Sequence, residues 1–416
     1  MSSTTLNPEN FSAMSADLHQ PRTAAKILDT ATAVLNITES GKKTLDDALD
    51  QVDNSVRRSV EHLLLSYYRH KKSVTADILK FCKKSPRPEI MQLLSAVLTQ
   101  CRFQSAIPPQ SAVNIAVEKA KAFHASGFVN AVMRRLLTME QVADSSPQNV
   151  LPDNILKRWR RRFDDKTLAG LTKLFLSEAP FSFRLLPGSR MPENCTELPG
   201  HGKFRFASGK GTEILSSDEF KRGDYYIQDP AASFAVSLAE NDAANIRYAL
   251  DICAAPGGKS LMLWELLPHD AHLLLSDISA NRQKRTAENF SIRNRKAEII
   301  TARPEELNGS FDCILADVPC SNSGVFRRRP DALWRFDERS LKNTCSIQRQ
   351  IISQAHRLLN RNGILIVSSC SIEPEENSGF IDDILAEYPD FVCEDAKTLL
   401  PSETNDGAFA ARLRRV

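Results

Sequence analysis

At 416 residues the chain is long enough for two or three domains, each with its own core. Nine cysteines stand singly, with no CxxC pair and no metal-ligand spacing, which excludes a disulfide-stapled mini-fold and a zinc module and fits a reducing compartment such as the cytoplasm. The net charge of +3 singles out no partner, and no stretch approaches the ~20 apolar residues of a membrane span.

Residues 1–22 have neither the basic start nor the apolar core of a signal peptide and are expected to form a flexible tail. Over 23–141 the pattern is helical. Ile27, Leu28, Ala31, Val34 and Leu35, then Val60, Leu63, Leu64, Tyr67 and Tyr68, then Ile90, Leu93, Leu94, Val97 and Leu98 recur at the spacing of helices that bury one face. Turn signals separate them, and Ser111 in "IPPQSA" is placed to cap the next helix. Residues 142–227 read as a linker, "VADSSPQNVLPDN", a basic helix and a small sheet-containing insert with "FSFRLL", "KFRFAS" and "DYYIQD". Over 228–416 the short β-prone runs "YALDIC", "HLLLSD", "EIITA", "FDCILAD" and "GILIVSS" alternate with helix-length segments, the layout of a mostly parallel α/β sheet.

Basic residues cluster in "LKRWRRRF", "SIRNRK", "FRRRPD" and "ARLRRV". One such cluster is an ordinary solvated face. Four of them, two with a Trp or Phe for stacking, suggest nucleic acid without specifying it.

Ligands of parallel sheets bind at the carboxyl ends of the strands, which here are Asp251 to Lys259, Asp277, Asp317 to Cys320, and Cys370. Three readings of "DICAAPGGKS" compete. A P-loop needs Gly where Cys253 stands, GxGxxG is absent, and a plain glycine turn is the bland alternative. Asp277, roughly 20 residues on, sits where an acid holds ribose hydroxyls, which points to a nucleoside-bearing cofactor. A turn suited to a carboxylate rather than a pyrophosphate makes S-adenosylmethionine the natural candidate. Either cysteine alone reads as a small buried hydrophobe. Two at strand ends beside a cofactor turn suit covalent catalysis: a thiolate adding at C6 of cytosine makes C5 nucleophilic, a second group assists product release, and an acid such as Asp317 holds the N3/N4 edge.

"QDPAAS", "CAAPGGK", "DVPCSNSGVFRRRPD" and "SSCSIEPEEN", in this order, resemble the RNA cytosine-5 methyltransferase family. "IPPQSAVNIAVEKA" and "GFVNAVMRRLL" resemble the NusB-like RNA-binding domain of its bacterial branch, which methylates small-subunit (16S) ribosomal RNA. The resemblance spans nearly the whole chain after the tail. It implies an all-α N-terminal domain plus an α/β, Rossmann-like class I methyltransferase domain, S-adenosylmethionine as cofactor, RNA as partner, and no metal or membrane. It also implies roles: Cys370 as nucleophile, Cys320 as the group assisting release, and Asp317 between cofactor and base. Cys253, Ala254, Ala255, Pro256, Gly257, Gly258 and Lys259, with Asp277, would bind the cofactor. DNA cytosine-5 methyltransferases attack with the "PC" cysteine instead, so Cys370 marks an RNA enzyme.

Departures from the family pattern are Ser369 for Thr, Val318 for Ala, and Arg303 where an Asp usually serves the adenine. Since Arg has no acceptor, Arg303 is expected to point away, with Glu305, Glu306 or a backbone carbonyl taking over. The competing functions are transfer RNA methylation and a non-catalytic RNA-binding assembly factor, which only the Arg303 departure favours.

Overall fold

The structure is a computed structural model that describes residues 21–140 and 144–416. The expected tail lies outside the described residues but for its last two positions, as does the boundary expected at 141/142. The chain forms two compact units. One holds the chain up to Ser177 together with Arg329–Trp334; the other holds Glu178–Arg328 and Arg335–Val416. The range 142–227 read as linker and insert therefore divides at Ser177.

The first unit is helical: Pro21–Glu39, Leu45–Leu49, Asn54–Lys80, Pro88–Phe103, Pro109–Ala120 and Ser126–Thr138, then Pro147–Val150, Asp153–Trp159 and Asp165–Phe175. The apolar positions picked from periodicity form one core, with Leu28, Leu35, Leu64, Leu93, Leu94, Val97 and Leu98 fully buried. Each such Leu contributes about 1.5–3 kcal/mol. Thr44 and Asp53 cap their helices by accepting from Asp47 N and Ser55 N. Ser111 does not cap: its helix starts at Pro109, whose fixed φ suits a first turn, and Ser111 lies inside it. Arg329–Trp334 joins this unit through Trp334 Nε1, which donates to Tyr68 O at 2.8 Å, and through Lys71, whose ammonium lies 4.9 Å from the Trp334 ring.

In the second unit β1 (Ser182–Leu185), β2 (Thr196–Leu198), β3 (Arg205–Ser208) and β4 (Tyr225–Ile227) make a small antiparallel sheet in the order β2-β3-β1-β4. The larger sheet uses β5 (Tyr248–Asp251), β6 (His272–Asp277), β7 (Glu298–Thr301), β8 (Phe311–Asp317), β9 (Leu359–Ser369), β10 (Phe391–Leu399) and β11 (Ala408–Arg415). Its order is β10-β11-β9-β8-β5-β6-β7, with β9 to β7 parallel and β11 antiparallel to both its neighbours. Alternate residues face opposite cores: Ala249, Cys313, Leu315, Ile364 and Ile366 on one side, Leu250, Ile314, Ala316, Leu365 and Val367 on the other. This is the mostly parallel, Rossmann-like sheet expected.

In three of the four basic clusters the fold itself engages several of the arginines. "ARLRRV" is β11, whose Arg412 and Arg414 pair with Asp242 and Glu394. In "FRRRPD", Phe326 and Arg327 are buried, and Arg328 bridges Asp229 and Asp406. In "SIRNRK", Arg293 donates to Tyr225 O, and the Arg295 guanidinium stacks 4.0 Å from the Trp264 ring. "LKRWRRRF" keeps Lys157, Arg160 and Arg161 exposed, yet Trp159 is core, packed 5.8 Å from Phe163 and 5.9 Å from Phe175. No base can stack on a ring with no exposed surface.

Candidate active site

The chain leaves β5 for β6 and β7 on one side and returns to β8 on the other, so a crevice opens outside the carboxyl ends of β5 and β8. Asp251 ends β5, fully buried, accepting from Cys253 N at 3.2 Å and Ser260 Oγ at 2.6 Å. These bonds fold the Cys253–Lys259 loop back over the strand. Gly257 takes φ 98°, open to glycine at little cost, and a side chain on Gly258 would strike Gln228 and Tyr226 at 2.9 Å. Gln228 and Tyr226 thus pack closely against the backbone at Gly258.

Burial pushes the Asp251 carboxyl up to about 7, against the hydrogen bonds from Ser260 and Cys253. The folded state therefore binds this proton more tightly than the unfolded chain, and stability falls as pH rises from the ordinary carboxylate value towards 7, then levels. Asp251→Asn keeps an acceptor but cannot ionise. Its melting temperature relative to the parent should climb between about pH 4 and about pH 7 and stay flat above; a difference that does not change with pH would contradict this.

Asp277 ends β6 at 4% exposure and accepts from Ala255 N at 3.3 Å, Ser279 N at 2.9 Å and Arg282 Nη2 at 2.9 Å. Asp317 ends β8, its Oδ2 on Lys259 Nζ and its Oδ1 on Ser368 Oγ, both at 2.7 Å. Burial pulls the Lys259 ammonium down, but Asp317 outweighs it and holds Lys259 above its ordinary value. Cys253 is a wall residue, its thiol pushed well up by burial and by Asp251, Asp317 and Asp277 around it.

Cys320 follows β8 and Cys370 follows β9, and their Sγ atoms lie 3.1 Å apart as free thiols. The two loops carrying them are stitched together. Val318 N donates to Ser368 O, Gly324 N to Cys370 O, Ile372 N to Ser323 Oγ, and Ser321 and Ser323 both reach Ser371. A side chain at Gly324 would meet Gly407 O at 2.6 Å and Cys370 O at 2.7 Å, so only glycine lets these loops close. Ser369 bonds Asn377, fixing the turn that presents Cys370. Sequence reasoning brought Asp317, Lys259, Cys320 and Cys370 to one place. It missed Asn322, Ser368, Gln348 and Glu376, although Asn322 and Glu376 lie inside the quoted motifs "CSNSG" and "PEEN".

Beside Asp277 lies a cavity of about 1310 Å³ whose walls include Ile252, Cys253, Asp277, Ile278, Arg303 and Glu305. Arg303 is exposed and belongs to this wall. Glu306 is occupied by Arg303 N at 2.8 Å, while Glu305 has no bonded partner among the described residues. Among the described residues no group of His, Cys, Asp or Glu is placed to hold a metal, and no helix is long and apolar enough to cross a membrane.

Residues 235–414 match the family 16S rRNA methyltransferase RsmB/F, and residues 20–138 match the NusB family. The chain is 29% identical to ribosomal RNA small subunit methyltransferase B of Sodalis glossinidius over 77% of this chain and 80% of the relative. Its fold is similar to the crystal structure of PH0851, with a TM-score of 0.73 at 17% identity over 94% of this chain and 99% of that one. It is also similar to a methyltransferase homolog protein from Pyrococcus horikoshii, with a TM-score of 0.52 at 22% identity over 64% of this chain and all of that one.

Proposed function

We propose, from the premise that the chain belongs to the 16S rRNA methyltransferase RsmB/F family, that it forms 5-methylcytosine in small-subunit ribosomal RNA through a covalent bond between Cys370 and C6 of the base. The observation that carries this reading is the pair of thiols 3.1 Å apart beside the Asp317–Lys259 ion pair.

S-adenosylmethionine is the cofactor, and the cavity residues fit it. Ile278, 66% exposed at the wall, offers an apolar face to a purine; Asp277 has three donors on about four acceptor sites and keeps room for a ribose hydroxyl. Bound there, the cofactor supplies an electrophilic methyl group. The protein's residues do the rest. Lys259 and Ser368 fix the Asp317 carboxylate, which holds the N3/N4 edge of the cytosine. The Cys370 thiolate adds to C6 and pushes electrons to C5, which takes the methyl group. Cys320, from its adjacent position, acts as the base that takes the C5 proton; the C5–H electrons reform the C5–C6 double bond and the S–C6 pair leaves with the Cys370 thiolate. The NusB-like helical region contributes RNA affinity, its phosphate contacts making binding steeply salt-dependent.

The test is transfer of labelled methyl groups from S-adenosylmethionine to unmodified 16S ribosomal RNA, with the product nucleoside identified. Label in 5-methylcytosine of 16S RNA supports the reading. Label only in transfer RNA would move the substrate, and RNA binding without label would leave an assembly factor.

Glu305 is the free acid at the cavity wall, so Glu305→Ala should weaken S-adenosylmethionine binding about tenfold by calorimetry, the loss of one hydrogen bond to a charged group. Glu306→Ala should change it less. Unchanged affinity in both and in the double variant would assign the adenine to a backbone carbonyl.

A further inference from the structure

Asp229, in the "QDPAAS" stretch that follows β4, has no part in the chemistry above, yet its side chain is only 14% exposed and is bonded at both oxygens. Oδ1 accepts from Ala231 N and from Asp406 N, both at 2.9 Å, and Oδ2 accepts from Arg328 Nη2 at 2.8 Å. Arg328 also donates from Nε to Asp406 Oδ2 at 2.6 Å, from Nη1 to Pro180 O at 3.1 Å and from Nη2 to Ser182 Oγ at 3.0 Å. Asp406 alone would neutralise the guanidinium. A second carboxylate with little access to water leaves an excess negative charge, which costs stability. What Asp229 adds is reach: segments that follow β4, follow β8 and precede β11 meet on one side chain. Because N–H groups face both of its oxygens, an amide in its place would turn its own NH₂ against one of them.

Two of those segments seat Cys370. Gly407 follows Asp406 and donates to Gly324 O at 2.8 Å; Gly324 lies in the turn Ser323–Val325 and donates to Cys370 O at 2.9 Å. Arg328 N closes on Val325 O at 2.9 Å, which ties the guanidinium's own segment to that turn. The fit has no slack. A side chain on Gly407 would meet Gly324 Cα at 2.7 Å, as one on Gly324 would meet Cys370 O at 2.7 Å. A shift at Asp229 therefore passes through two backbone contacts to the residue that carries the attacking sulfur, and Cys320 lies just ahead of Gly324 on the same segment.

We propose that Asp229 is a positioning residue for the thiol pair: its carboxylate locks the segment that ends at Arg328 to the one that begins at Asp406, and so sets where Cys370 stands relative to Cys320 and the base. The proposal rests on the reading of Cys370 as nucleophile.

The experiment is binding of phenylarsine oxide, a trivalent arsenical that closes tightly only on two adjacent thiols, to the full-length protein without RNA or cofactor. The parent should bind it tightly, and Cys320→Ser should lose that binding. Asp229→Asn leaves Arg328 its ion pair with Asp406, so it should fold, yet bind the arsenical about tenfold more weakly, the loss of one hydrogen bond to a charged group. On 16S ribosomal RNA its kcat should fall about tenfold with KM unchanged, a split that lower stability alone does not produce below the melting temperature. Parent-strength arsenical binding or an unchanged kcat in Asp229→Asn overturns the proposal, as does a parent that does not bind. Should that variant not fold, Arg328→Lys keeps a positive charge but cannot reach Asp229 and Asp406 together, and parent-strength binding there overturns it equally. Arsenical binding needs no methyl transfer, so failure of the proposed activity is seen separately.

Discussion

Cys370→Ala should lower methyl transfer on the order of 10³-fold or more and abolish covalent RNA attachment, while Cys320→Ala should trap RNA on the protein. The two thiols touch, so their different fates cannot come from distance to the base alone. If Cys370 attacks, removing it leaves no sulfur to bond C6. Removing Cys320 leaves attack and methylation intact and slows only the breaking of the S–C6 bond. An adduct that survives denaturing electrophoresis should then build up when S-adenosylmethionine is present, and the double variant should lose it. Were Cys370→Ala the variant that traps RNA, the attacking cysteine would be Cys320, the arrangement of the DNA enzymes.

The parallel strands and the first helices were legible because their apolar residues recur with clean periods. Leu28, Leu63 and Leu93 mark helix faces, and "FDCILAD" is a run buried on both sides. The antiparallel pair β10–β11 was not, because β11 spends its Arg residues on Asp242, Glu394 and Asp390, so a buried strand reads as a basic tail. The site divides the same way. Asp277, Asp317, Cys320 and Cys370 were legible from their positions, each ending or following a strand. Glu376 and Gln348 meet beside Cys320 from segments 28 residues apart, and only the fold brings those together. Arg303 shows the limit from the other side: the sequence flagged the residue, but its exposure at the cavity wall depends on how the turn Pro304–Glu306 closes.

Glu265→Ala should destabilise the second unit by about 3–5 kcal/mol, because it strips the counter-charge from a guanidinium with no exposure. Arg184 on β1 donates through Nη1 to both Glu265 oxygens, at 2.7 and 2.6 Å, and the two side chains are 0% and 4% exposed. Its Nε reaches Gln228 Oε1 at 3.1 Å, and Gln228 in turn packs against Gly258. The pair therefore ties the small sheet to the helix Gly258–Leu266 into which the cofactor loop leads. At ~2–4 °C per kcal/mol for a unit of this size, the melting temperature should drop by roughly 6–20 °C. Arg184→Met with Glu265→Leu removes both charges and fills the space, so it should recover most of the loss. A Glu265→Ala protein melting within about 2 °C of the parent would mean that the guanidinium finds water or another partner, and the anchoring role of the pair would be wrong.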